Sequence, residues 1–239
     1  MTRWPFDTAA AAIDVKSARL MTLAILLICS GAGHAARPFV TDDARTVDPG
    51  GCQLESFVKL QQRTRESEFW FLPACNPLGN LEMTVGATNL SHTPNPSRSL
   101  ILQGKTLLKP LRTNDFGLAL TVGTQQTVPA IPLMRWSPYL NLIASFSFLD
   151  DKVVLHTNAG SLRDGPASRT RGTWGLGSEI AMSERLYAIA ESYGQEGDRP
   201  SKQVGLRYWI EPNRFQVDTT LGVQYGRTWV SFGIRLLFP

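Results

Sequence analysis

From Gly51 to the end of the chain, apolar and polar residues alternate in segments of about ten residues, and no helical period lasts beyond two turns. A period of two marks strands with one face withdrawn from water. The C-terminal segments show it best. Val230, Phe232, Ile234, Leu236 and Phe238 share one face, with Ser231, Gly233 and Arg235 on the other. Phe215, Val217, Leu221, Val223 and Tyr225 likewise oppose Gln216, Asp218, Thr220, Gly222 and Gln224. The same reading predicts strands at 52–62, 67–76, 80–90, 99–110, 115–127, 138–149, 152–161, 172–183, 186–195, 203–210, 215–225 and 230–238. Within 186–195 the pattern is least regular, because Glu191 shares a face with Tyr187, Ile189 and Tyr193. The count of twelve is even, as an antiparallel barrel with both termini at one end requires.

Loop lengths carry a second signal. Connections after even-numbered segments are tight, as at Asn76–Gly79, Leu111–Asn114, Asp150–Asp151, Ser183–Arg185 and Glu211–Arg214. Those after odd-numbered segments are mostly longer: Ser91–Arg98, Val128–Ser137, Leu162–Arg171 and Glu196–Pro200. The connections around Arg63 and Arg227 are short and break this trend. Tight turns at one end and long loops at the other describe an outer-membrane barrel, with the turns in the periplasm.

Pairing Cys52 with Cys75 makes opposed positions of the first hairpin sum to 127, so Val58 faces Phe69, Leu54 faces Pro73 and Phe57 faces Trp70. A slip of one residue would send every side chain to the other face. The pattern therefore supports a structural disulfide at the turn end of the first two strands. No Cys-x-x-Cys spacing points to redox chemistry.

A soluble lipocalin-like barrel or a β-sandwich also alternates. Three features favour the membrane. Gly, Thr, Ser and Gln crowd the polar faces beside isolated charges. Trp70, Trp136, Tyr139, Trp174, Tyr187 and Trp229 fall near strand ends, where an interfacial belt would place them. The chain also opens on an export signal: Lys16 and Arg19, an apolar run from Leu20 to Cys29, and small residues with peptidase sites after Ala35 and Ala36. Either Met1 or Met21 serves as the start, and bulky Ile28 before Cys29 argues against lipid attachment. The expected layout is a signal peptide over 1–36, a periplasmic leader over 37–50 and a barrel over 51–239.

Composition changes this picture little. Cleavage lowers the net charge from +4 to +3 and leaves two cysteines in an oxidising compartment, where a disulfide is the expected fate. Basic residues are scattered, which excludes a nucleic-acid partner. The mean hydropathy of −0.10 averages a lipid-facing stripe with a polar one.

The residues Arg37-Pro38-Phe39-Val40-Thr41-Asp42-Asp43, followed by Gln53-Leu54-Glu55, resemble the outer-membrane family filed as "meta-pathway of phenol degradation". The resemblance is strongest over 37–60. It implies a transporter-like barrel that passes aromatic or other hydrophobic molecules, and it carries no catalytic residues. Pro239 after Phe238 departs from the usual aromatic end of such barrels.

Alternation turns Glu55, Lys59, Glu82, Gln103, Lys105, Glu179, Arg207, Gln216, Asp218 and Arg235 toward the lumen. Charges of both signs either pair across a narrow interior and stabilise it, or form a constriction that selects solutes. Twelve strands enclose a narrow or plugged channel. The acidic segment 37–50 either enters the lumen or, as expected here, remains a solvated leader.

An outer-membrane lipid hydrolase would need a serine activated by histidine. His92 lies in a loop and His156 in a strand, and neither has the His-x-Ser spacing that shares a strand face. Asp42-Asp43 and Asp150-Asp151 lack the alternating oxygen donors of a calcium loop. No cofactor or metal is expected. The reading is an all-β, antiparallel transmembrane barrel of about twelve strands in a Gram-negative outer membrane. It is a monomeric, passive, porin-like channel and not an enzyme. The alternative is a non-conducting structural or surface-binding barrel. Expected partners are outer-membrane lipid, lipopolysaccharide met by Arg163, Arg169 and Arg171, the barrel-assembly machinery and an unspecified small solute.

Overall fold

A computed structural model of the chain describes residues 39–128, 136–165 and 167–239. The expected signal peptide lies outside them, as do Arg37 and Pro38. Twelve strands form one closed antiparallel barrel: β1 Cys52–Gln61, β2 Ser67–Cys75, β3 Glu82–Ser91, β4 Ser97–Lys109, β5 Phe116–Val128, β6 Trp136–Phe148, β7 Val153–Asp164, β8 Arg169–Ala181, β9 Leu186–Gln195, β10 Ser201–Glu211, β11 Phe215–Gln224 and β12 Arg227–Phe238. Each strand pairs with its sequence neighbours, and β1 closes the ring on β12.

All twelve predicted segments are strands. They differ chiefly at the end expected to carry long loops, where β4, β6, β8, β10 and β12 begin two or three residues earlier than the apolar pattern does, so that its connections run 2–7 residues against 3–6 at the other end and the expected length contrast is lost. Those added residues, such as Ser97, Arg169, Ser201 and Arg227, are polar in the main. Backbone pairing continues there beyond the apolar band, so hydropathy cannot mark where it ends.

The first hairpin has the predicted register, with Cys52 opposite Cys75, Phe57 opposite Trp70 and Val58 opposite Phe69. Cys52 and Cys75 are joined by a disulfide. At the opposite end Tyr225 (φ 52°) and Gly226 (φ 73°) connect β11 to β12, the left-handed pair that a tight hairpin demands.

Polarity is inverted relative to a soluble barrel. Val85, Leu102, Val122, Leu142, Leu176, Val204, Leu221 and Phe232 point outward and are exposed, while the buried set is dominated by Thr, Ser, Gln and charged residues. A lipocalin-like or sandwich core would place these the other way. The aromatic belt is narrower than expected. Trp136 and Trp174 are exposed on the outside, but Trp229 and Tyr187 are buried inside, Tyr139 donates to Gln103, and Trp70 stacks on Phe57. Strand parity decides this: Trp229 shares its face with Ser231 and Arg235, whatever its distance from the strand end.

The candidate site is a strapped lumen

Residues 39–48 do not form a solvated leader. They enter the barrel at the turn end and run up inside it as a strap. Phe39, Thr41, Asp43, Ala44 and Val47 are buried. A strand would satisfy its backbone on a neighbour; this strap is satisfied by inward side chains. The amides of Val40 and Thr41 donate to the two oxygens of Glu191 at 2.8 and 2.7 Å. Asn158 accepts from the Asp42 amide and donates to its carbonyl, both at 2.8 Å. Ala44 N–H donates to Ser145 Oγ at 2.8 Å, and Val47 N–H donates to Glu82 Oε2 at 2.8 Å. Asn76 donates to the Val47 carbonyl at 2.8 Å, where the chain turns into β1.

Charge and shape hold the same segment. Lys105 Nζ lies 2.8 Å from Asp42 Oδ1 and 3.1 Å from Asp43 Oδ1. Burial pushes the Asp43 carboxyl up, but Lys105 and then Arg45 outweigh it and hold the group well below the usual carboxylate range. Two glycines of β8 make the notch in which the strap lies. A Cβ at Gly177 would come within 2.5 Å of the Phe39 ring, and one at Gly175 within 2.8 Å of Thr41 Oγ1. Ala44 packs with Ala119, Ile143 and Leu107 in a small apolar cluster inside the barrel.

Glu82, Lys105, Glu179, Arg207, Gln216, Asp218 and Arg235 are buried, and Glu55, Lys59 and Gln103 line a cavity in the lumen. Glu82 and Lys105 grip the strap. Arg207 sits between Glu179 (2.6 Å) and Asp218 (3.1 Å), with Gln216 donating to Asp218 at 2.9 Å. Arg235 donates to Gln53 at 2.9 Å and lies 3.7 Å from Glu55. Lys59 is 3.6 Å from Glu68 and 4.3 Å from the centre of the Trp229 ring. Gln103 receives the Tyr139 hydroxyl at 2.8 Å. These charges pair around the wall.

Glu191, Asn158, Ser145 and Asn76 are the strap contacts that sequence reasoning missed. Glu191 carried a visible signal, a carboxylate on an otherwise apolar face. Asn158 and Ser145 are ordinary polar residues of the lumen face, and Asn76 lies in the β2–β3 connection. Ser145, His156 and Glu179 also come together: Ser145 Oγ is 2.8 Å from His156 Nδ1, and His156 Nε2 is 3.4 Å from Glu179 Oε1. Ala44 covers the serine and the Phe39 ring lies edge-on to the histidine at 6.1 Å, so this trio forms part of the strap's seat. Asp150 and Asp151 instead tie two turns together through Asn114 and Thr113.

Above the strap lies a cavity of about 480 Å³. Phe39–Asp43 and Arg45 line it, and it extends from Gln53, Ala74 and Glu82 near the disulfide end to Gln195, Asp198 and Gln224 at the opposite rim.

No curated protein sequence matches the chain. Among solved structures, a KdgM porin superposes with a TM-score of 0.60 at 10% identity, covering 77% of this chain and 98% of the porin. KdgM porin in complex with disordered oligogalacturonate gives 0.61 at 8% identity, with the same coverage. The outer membrane protein Omp33 of Acinetobacter baumannii gives 0.47 at 8% identity, covering 81% and 100%. At such identities the likeness is one of fold, that of outer-membrane barrels. A family model matches residues 23–238, and the chain belongs to that family, described as uncharacterised conserved protein UCP029691.

Proposed function

We propose that this protein is a passive outer-membrane pore for small solutes, closed in the present conformation by its own N-terminal strap. The observation that carries this reading is the strap itself. A segment with no strand partner is held in the lumen by side-chain contacts and by a notch of two glycines, so its withdrawal would leave the barrel intact. The end that carries the Cys52–Cys75 disulfide faces the periplasm in this reading, and the strap is drawn out toward that side. The solute moves down its gradient and no chemistry is performed.

The oligogalacturonate of the KdgM complex is a polyanion, and a lumen that bound one would need excess positive charge. The cavity here is lined by Arg45, Lys59, Lys105 and Arg235 against Asp42, Asp43, Glu55, Glu82 and Asp198. That balance favours uncharged solutes, including the aromatic molecules that the resemblance to the phenol-pathway family implies. The chain acts as a monomer, inserted by the barrel-assembly machinery. Arg163 and Arg169, both exposed at the rim, meet lipopolysaccharide in this reading, whereas Arg171 is engaged with Asp198 at 3.4 Å; unchanged lipopolysaccharide binding after R163A plus R169A would remove that role.

Planar-bilayer recording tests the pore. The intact protein should give rare, brief openings, and a variant lacking 39–48 a steady conductance. Should that deletion fail to fold, Asn158→Ala weakens the latch and serves in its place. A folded, strap-free barrel that passes no current leaves the non-conducting structural alternative. Hydrolysis of a lipid ester by the same sample, abolished in Ser145→Ala, would instead make the Ser145–His156–Glu179 trio an active site.

A further inference from the structure

We propose that the cavity above the strap is a binding site for an uncharged ring that carries hydroxyl groups. This deepens the pore reading by naming the class of solute, and rests on it for the solute's route but not for its binding.

Size comes first. About 480 Å³ is the volume of a small-molecule pocket and too little for a polymer coil. The lining then selects the chemistry. Trp70 lies flat against Phe57, ring centres 5.5 Å apart and planes 11° apart, which fixes the indole at the wall. Tyr139 and Tyr193 add aromatic surface. Flat faces of this kind take a ring, whether an aromatic one or the C–H face of a sugar. The amides Gln125, Asn141 and Gln224 share the lining; Asn141 and Gln224 give one N–H to Asn158 and to the Arg199 carbonyl, and an amide's second N–H and its carbonyl oxygen suit hydroxyl groups.

Charge is the excluding term. Each ionic side chain lining the cavity already has a counter-ion or amide partner among the described residues. Lys59 has Glu68, Lys105 has Asp42 and Asp43, Arg45 has Asp43, Arg235 has Glu55, and Asp198 has Arg171. Glu82 receives Val47 N–H and Gln53. A carboxylate or ammonium entering this pocket would lose hydration and meet groups already committed elsewhere.

Phenols and neutral sugars share this chemistry, and matched probes tell them apart. The experiment is saturation-transfer NMR on the intact protein in detergent. The probes are phenol and methyl glucoside, each set against its charged counterpart, benzoate or glucuronate. At least one neutral probe should bind, at least about tenfold more tightly than its counterpart. Phenol alone would identify an aromatic solute, methyl glucoside alone a carbohydrate, and either result supports the site. Trp70→Ala should weaken binding by about tenfold, while Trp136→Ala on the outer surface should leave it unchanged. Trp70→Phe, which keeps a flat ring, should retain most of it and shows that loss in the alanine variant is not misfolding. Absence of binding by both neutral probes, or equal binding of a charged counterpart, overturns the proposal. A barrel that binds but does not conduct removes the pore and leaves this site; one that conducts but does not bind does the reverse.

Discussion

The turn-end half of the lumen and the loop-end half are built from the same alternation and do opposite things. In the turn-end half Arg207, Gln216, Trp209 and Glu179 are almost wholly buried, and Arg207 bridges two carboxylates. The strap fills the middle. In the loop-end half Trp70, Tyr139, Gln125 and Asn141 face open space. Strand geometry dictates only which residues point inward; the filler decides whether an inward residue is a structural pair or a wall. Around Arg207 the lumen is a closed core made of polar groups, while the side of Trp70 and Tyr139 lines the cavity proposed above as a site.

The largest effect should come from the closed half. Arg207→Met leaves Glu179 and Asp218 facing each other in a water-poor interior. Truncating one partner of a buried ionic cluster costs about 3–5 kcal/mol, mainly through the charges left behind. Urea unfolding in detergent should show that loss, and adding Glu179→Gln and Asp218→Asn should restore much of it. A loss below about 1 kcal/mol would mean that water reaches this region and that the two halves are alike.

Next is the boundary between the halves. Asn158→Ala removes both hydrogen bonds to Asp42 while leaving the barrel wall in place. Leaving this part-buried amide and carbonyl unpaired costs about 1 kcal/mol, so the open fraction in bilayer recordings should rise by about fivefold. Gly177→Ala attacks the same boundary by shape, since its Cβ would meet the Phe39 ring. It should open the pore without lowering barrel stability. A stable but still closed Gly177→Ala barrel would show that the ring shifts within the lumen and that the notch is not what seats the strap.

Much of this molecule was legible beforehand, for a reason that also sets the limit. Parity along a strand is a local property, so the inward placement of Glu55, Lys105, Arg207 and Arg235 and the Cys52–Cys75 register could be read from neighbours alone. The strap was not legible as a plug. Its segment has no period, and its partners lie as far as 151 residues away, as from Val40 to Glu191. What the sequence did carry was indirect. Gly175 and Gly177 hollow out two successive inward positions of β8, and Glu191 interrupts an apolar face. The aromatic belt failed for a different reason. Nearness to a strand end leaves the facing of a side chain undetermined, and parity sends Trp70, Tyr139, Tyr187 and Trp229 inside.

The smallest effect contrasts the halves by pH. Asp43 has its carboxyl held down by Lys105 and Arg45 while the strap is docked. A released strap would return it to roughly 3.9. A carboxyl that is more acidic when docked stabilises the docked strap above the released value, and that contribution fades as pH falls from the released value toward the docked one. Closure should therefore hold unchanged from pH 7 to about 5, and begin to weaken only below the released value. At the rim, Asp198 is also held below its usual range, by hydrogen bonds from Gln195 and Tyr225, but it lies in solvent and touches no part of the strap. Asp198→Asn should leave open probability at pH 7 within about twofold. A pore that opens between pH 7 and 5 would place the controlling carboxylate outside the Asp42–Asp43–Lys105 cluster, with Glu191 and Glu82 next in line because both accept backbone hydrogen bonds from the strap. Glu191→Gln, which keeps an acceptor oxygen and discards the charge, then distinguishes them: it abolishes that pH response if Glu191 controls the strap and leaves it intact if Glu82 does.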